Sequence, residues 1–163
     1  MPAKESPKLS PTAERPKYGN LNVVQDERGV KRCERYGDCF LLMDNSVRSR
    51  TTCCSRDSSS VKISNLGTLD ACAHVLAEYT TEELRATVEV ATGRRRCVGS
   101  EVISEYKEVQ IHGPILLSSH ISCVYVHPRH KQSPSTTQEL ERLAARHGFP
   151  LIWIEESTTC SSA

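Results

Sequence analysis

The stretch SEYKEVQIHGP, residues 104–114, decides the reading of this chain. On an extended strand, side chains alternate between faces. Tyr106, Glu108, Gln110 and His112 then share one face, and Lys107, Val109 and Ile111 share the other. Such a strand packs Val109 and Ile111 into a core and turns a row of hydrogen-bonding and titratable groups outward. That row either lines a ligand cleft or belongs to an edge strand whose polar face is merely wet.

The segments around it set the fold class. Residues 1–14 are rich in Pro, Ser and Lys and read as a disordered arm. A single domain is expected over 15–156, with a frayed tail over 157–163. Pro16 holds Arg15 extended, and Leu21–Val24 reads as a strand. The run Tyr36–Met43 contains a short buried strand, and Arg50–Cys54 is β-prone through its threonines and cysteines.

Leu69, Cys72, Ala73 and Leu76 recur at helical spacing. Thr80 and Glu83 form a capping-box pattern for a helix stopped by Gly93. Gly113–Pro114 breaks the strand of the opening stretch, and Ile121–Val126 is a further strand. Thr136 and Glu139 suggest the cap of a helix carrying Leu140, Leu143, Ala144 and His147. Gly148 and Pro150 stop it, and Leu151–Ile154 is the last strand. About five strands that do not alternate regularly with helices indicate an α+β fold.

Composition excludes several classes of function. The 163 residues carry 21 basic and 20 acidic groups, a net charge of +1, so binding to nucleic acid is not favoured. Arg48–Arg50 and Arg94–Arg96 read as solvated surface clusters. No apolar run approaches the ~20 residues of a spanning helix, and the N-terminus lacks the apolar core of a Sec-type signal. No membrane partner is expected; the expected location is the cytoplasm, with export by another route left open. The eight cysteines show no Cys-x-x-Cys pair, so reduced thiols are expected and no metal site is read from spacing. Neither a Gly-x-Gly-x-x-Gly fingerprint nor a P-loop is present.

Five phrases occur in order: RPKYGNLN (15–22), RYGDCFL (35–41), RTT with DS (50–52, 57–58), YKEVQIHGP (106–114) and RHGFPLIW (146–153). With them the chain resembles domain-of-unknown-function family 3626. Through that family it resembles the Arg–Ser–Glu class of the ADP-ribosyltransferase superfamily. There an early-strand Arg, a Ser-Thr-Ser-like strand and a late-strand Glu surround NAD.

The resemblance implies an α+β fold with an ADP-ribosyltransferase-like split β-sheet core and two to three helices. It also implies NAD as a consumed substrate and a mono-ADP-ribosyltransferase or NAD hydrolase acting on a protein acceptor or on water. Glu108 and Arg15 would be catalytic, Glu108 stabilising the ribosyl oxocarbenium ion and Arg15 clamping NAD. Tyr18, Thr51, Thr52, Ser55, Tyr106 and Gln110 would line the NAD site. Glu105 points away from Glu108 on a regular strand.

Many relatives in that superfamily hold Glu or Gln two residues before the catalytic Glu, where this chain has Tyr106. A tyrosine carries no charge near neutral pH, which points away from arginine as the acceptor. His112 is either a base on the same face or a loop histidine. The alternative function is a non-catalytic module on the same fold that binds a protein or a nucleotide. A monomer is expected.

Overall fold

The computed structural model describes residues 14–155, apart from residues 61, 63 and 64. Residues 1–13 of the expected arm over 1–14, and the tail over 157–163, lie outside the described residues. The fold is α+β and is built on two sheets, one four-stranded and one three-stranded.

The first sheet has the order β1-β5-β3-β4, all neighbours antiparallel. Its strands are β1 (Lys17–Asn20), β3 (Thr51–Cys54), β4 (Leu66–Thr68) and β5 (Glu108–Ile111). The second sheet has the order β2-β6-β7. There β2 (Phe40–Met43) is antiparallel to β6 (Ile121–Val126), and β7 (Leu151–Trp153) is parallel to it. The helices are α1 (Ala73–Leu76), α2 (Thr81–Ala91), α3 (Leu117–His120) and α4 (Pro134–His147). A parallel pair needs a crossover connection, and α4 supplies it between β6 and β7.

Three apolar clusters hold these elements. Under the first sheet, Val109 and Cys53 pack with Val75, which is fully buried. Beside α2, Val24, Tyr79, Ala86 and Ile103 form a second cluster. Ile121, Val124 and Val126 pack with Ala144 and Phe149 in the third. The close approach of β4 to α1 requires Gly67, because a Cβ there would stand 2.8 Å from the Ala71 carbonyl oxygen.

Local sequence explains most boundaries. Thr80 and Glu83 form the capping box of α2, with both reciprocal hydrogen bonds present. Gly148 ends α4 in the left-handed region at φ 75°. Two expected boundaries move. The first strand spans 17–20, and Leu21–Val24 turns instead, because Asn22 Oδ1 accepts from Asp26 N and Val24 turns into the α2 cluster. The α4 cap is Ser133, which accepts from Thr136 N, so Thr136 lies inside the helix. The expectation that every cysteine is a free thiol also fails. Cys97 is disulfide-bonded, whereas Cys33, Cys39, Cys53, Cys54, Cys72 and Cys123 are free. No spacing motif marks Cys97 for pairing, which is why sequence reasoning missed it.

Candidate functional site

Register, not sequence spacing, assembles the polar face of the first sheet. Residues opposite one another on adjacent strands point to the same side. Gln110 stands opposite Tyr18 on β1 and Thr52 on β3, and Glu108 stands opposite Asn20 and Cys54. Thr52 in turn faces Thr68 on β4. Tyr18, Asn20, Thr52, Cys54, Glu108 and Gln110 therefore share one face. Lys107, Val109 and Ile111 share the other, as the alternation in 104–114 predicts.

Hydrogen bonds knit this face together. Gln110 Nε2 donates to Glu108 Oε1 at 3.3 Å, and the Cys54 thiol lies 3.9 Å from the same oxygen. Further along, Thr52 Oγ1 lies 3.0 Å from His112 Nε2. Glu108 is 7% exposed, so its carboxylate is almost covered. Burial, with the Glu108 carboxylate beside it, pushes the Cys54 thiol up to about 11. Cys54 is therefore a neutral thiol near pH 7 and acts as a small hydrophobe with a weak donor.

An aromatic and cationic group stands at the Glu108 end. Arg35 Nη2 donates to the Tyr36 hydroxyl at 2.8 Å and also bonds Tyr106. Burial and the neighbouring Tyr36 hydroxyl push Tyr106 up to about 12, so it stays a neutral phenol. Its place beside Asp57 and Arg35 was not legible in sequence, since these residues come from three separate segments.

The other candidates fall elsewhere. Thr51 is buried on the opposite face and donates to the Val47 carbonyl oxygen at 2.7 Å. Alternation explains this: if Thr52 faces the polar side, Thr51 cannot. Ser55 is also buried, its carbonyl taking a 3.1 Å bond from Lys107 Nζ on the core side and its hydroxyl a 3.4 Å bond from Asn65. Arg15 is exposed just before β1. The Lys17 ammonium, bonded to the Arg15 carbonyl at 2.8 Å, also reaches the Gly113 carbonyl at 3.1 Å. Arg15 thus sits at the Gly113 end of the ladder, roughly 17 Å along it from Glu108 at about 3.3 Å per residue. Glu105 is exposed and precedes β5.

The arginine that holds the Gly113 end is Arg50. Its guanidinium bonds the His112 carbonyl oxygen, the Pro114 carbonyl oxygen at 2.9 Å and His120 Nδ1 at 3.2 Å. The sequence marked Arg50 as part of a basic run and of the RTT phrase, and assigned it no role in the site. A separate concavity of about 520 Å³ lies over the second sheet, lined by Asn22, Gln25, Glu27, Phe40, Arg96 and Tyr125 among others. Its floor holds the stacked rings of Phe40 and Tyr125, with centroids 4.7 Å apart. Gln25 takes a left-handed φ of 53°, uncommon for a residue other than glycine.

No helix among the described residues is long and apolar enough to cross a membrane. A family model with the description "Protein of unknown function (DUF3626)" matches residues 4–103. No curated protein matches the chain.

Proposed function

The chain belongs to the family of proteins of unknown function DUF3626, and from that premise we propose that it is an NAD-consuming mono-ADP-ribosyltransferase or NAD hydrolase. One observation carries the reading. The early strand, the hydroxyl-bearing strand and the glutamate strand that resemble the Arg–Ser–Glu class are neighbours, with β5 between β1 and β3. Tyr18, Thr52, Gln110 and Glu108 consequently share one face.

In the proposed reaction the C1′–N bond of the nicotinamide riboside breaks. Nicotinamide leaves with the bonding pair, and positive charge develops on the ribose. The Glu108 carboxylate, hydrogen-bonded to the ribose hydroxyls, holds that charge more tightly in the transition state than in the ground state. Gln110 positions the carboxylate through its 3.3 Å bond. An acceptor oxygen attacks C1′, and its proton passes to solvent. Tyr106, a neutral phenol, provides no anion to orient a guanidinium, so the acceptor is a hydroxyl or water. Arg15, at the far end of the ladder, suits an NAD phosphate better than the ribose beside Glu108.

The test uses the full chain with NAD labelled in the adenosine moiety, scored for released nicotinamide and labelled protein. Glu108→Gln is expected to lower turnover roughly 10²-fold or more, with the circular dichroism spectrum unchanged. Glu105→Gln, outside the strand, is expected to retain it. Equal turnover in the native protein and Glu108→Gln, or label recovered mainly on arginine, would overturn the corresponding step.

The near-complete cover over Glu108, and the stacked floor of the second concavity, favour a second reading: a non-catalytic nucleotide-binding module. In that case NAD binds without turnover, and Tyr125→Ala weakens binding while Glu108→Gln does not.

A further inference from the structure

We propose that Asp38, Cys39 and His130 form a binding site for a borderline divalent cation of the Zn2+ class. Asp38 and Cys39 lead into β2, and His130 lies in the short 3-10 helix Pro128–Gln132 that follows β6. Pairing of β2 with β6 brings together residues 92 positions apart.

One ligand atom from each side chain lies within 4.8 Å of the other two. The two separations that involve Asp38 lie at or just under those of a tetrahedral centre. Zinc–oxygen and zinc–nitrogen bonds near 2.0–2.1 Å and a zinc–sulfur bond near 2.3 Å put ligand atoms roughly 3.3–3.6 Å apart at tetrahedral angles. Here Asp38 Oδ1 is 3.1 Å from His130 Nε2 and 3.5 Å from Cys39 Sγ.

The two Asp38 oxygens divide their work. Oδ1 faces the two other ligands. Oδ2 faces Arg129 Nε at 2.5 Å and His127 Nδ1 at 3.8 Å. Oδ2 is buried and accepts no hydrogen bond among the described residues, so Arg129 balances its charge as an ion pair without occupying it as a hydrogen-bond donor. His127 Nδ1 already accepts from Arg129 N at 3.1 Å, so His127 supports the site rather than ligating through that nitrogen. Arg129 Nε also lies 3.5 Å from His130 Nε2 and is the resident counter-cation. Its side chain is 63% exposed, so it can keep Oδ2 while releasing the histidine.

The donor set selects the ion. One thiolate, one imidazole and one carboxylate suit zinc and its borderline neighbours, whereas Ca2+ and Mg2+ prefer all-oxygen shells. A thiolate and a carboxylate neutralise the dication, and the Cys39 thiol proton passes to solvent on binding. Three protein ligands leave a fourth position for water or substrate, the arrangement of a reactive rather than a purely structural site. The site lies apart from the Glu108 face and does not depend on the NAD reading.

The test uses untagged full-length protein, stripped with chelator and handled without oxygen or reductant so that Cys39 stays a thiol and the Cys97 disulfide stays closed, then titrated with Co2+ and afterwards with Zn2+. The expected result is a 1:1 cobalt complex with a thiolate-to-cobalt charge-transfer band and tetrahedral ligand-field bands, displaced by equimolar Zn2+. Cys39→Ser is expected to abolish the charge-transfer band. It and His130→Gln should each weaken Zn2+ binding by at least about 100-fold, the upper range for disturbed supporting partners. Cys33→Ser, a free thiol outside the cluster, should leave both unchanged. Absence of the band in the native protein, or unaltered affinity in folded Cys39→Ser and His130→Gln, would overturn the proposal.

Discussion

Replacing Glu83 by Gln removes one oxygen from a carboxylate whose two oxygens are both committed. Glu83 Oε1 accepts from Ser104 N at 2.6 Å and Ser104 Oγ at 2.7 Å, while Oε2 accepts from Thr80 N at 2.6 Å. The residue is 3% exposed. Whichever way the introduced amide turns, its NH2 group faces a backbone N–H that loses its acceptor. Burial raises the carboxyl's pKa, but the Ser104 and Thr80 bonds outweigh it and hold the group at about 2 against an ordinary 4.5. At about 1.4 kcal/mol per pH unit, that corresponds to stability on the order of 3 kcal/mol.

A folded pKa below the unfolded one gives stability that is fully present above pH 4.5 and lost as pH falls toward 2. Urea unfolding at pH 7 should show Glu83→Gln destabilised by about 2–3 kcal/mol, the range for a charged hydrogen bond lost at a buried group. The gap between native and variant should shrink as pH falls through that window. A variant within about 0.5 kcal/mol of native at pH 7, the scatter of an ordinary surface substitution, would refute the argument.

Thiol reactivity should separate by burial. Cys53 is pushed up to about 12 and Cys54 to about 11, so both should resist a disulfide reagent at pH 8 in the folded protein, while exposed Cys39 reacts; peptide mapping of the labelled protein checks the order, and early labelling of Cys54 would contradict it. Val75→Ala, beneath the first sheet and fully buried, should cost roughly 2–3 kcal/mol, whereas Val88→Ala at 53% exposure should be near neutral by denaturant titration. Gly148→Ala should cost about 1–2 kcal/mol at a left-handed φ of 75°, measured by thermal melting, with no steric clash adding to it.

Sequence by itself determined what depends on neighbours in the chain. The capping box of Thr80 and Glu83, the left-handed stop at Gly148 and the strand Ile121–Val126 follow from short-range hydrogen bonding, backbone sterics and alternation. So does the division of 107–111 into an apolar face carrying Val109 and Ile111 and a polar face carrying Glu108 and Gln110, because a strand has period two. Tertiary structure decided what depends on register and on segments far apart. Pairing of β3 with β5 put Thr52 on the Glu108 face and sent Thr51 and its hydroxyl to Val47. It also placed Cys54 against Glu108 and left Arg15 at the opposite end of the ladder. The approach of His130 to Asp38 and Cys39 arises only when β2 and β6 pair, since no local spacing encodes a contact across 92 residues. Ladder register and chain crossing are set by the burial of whole strands, a property of the folded core rather than of any local stretch.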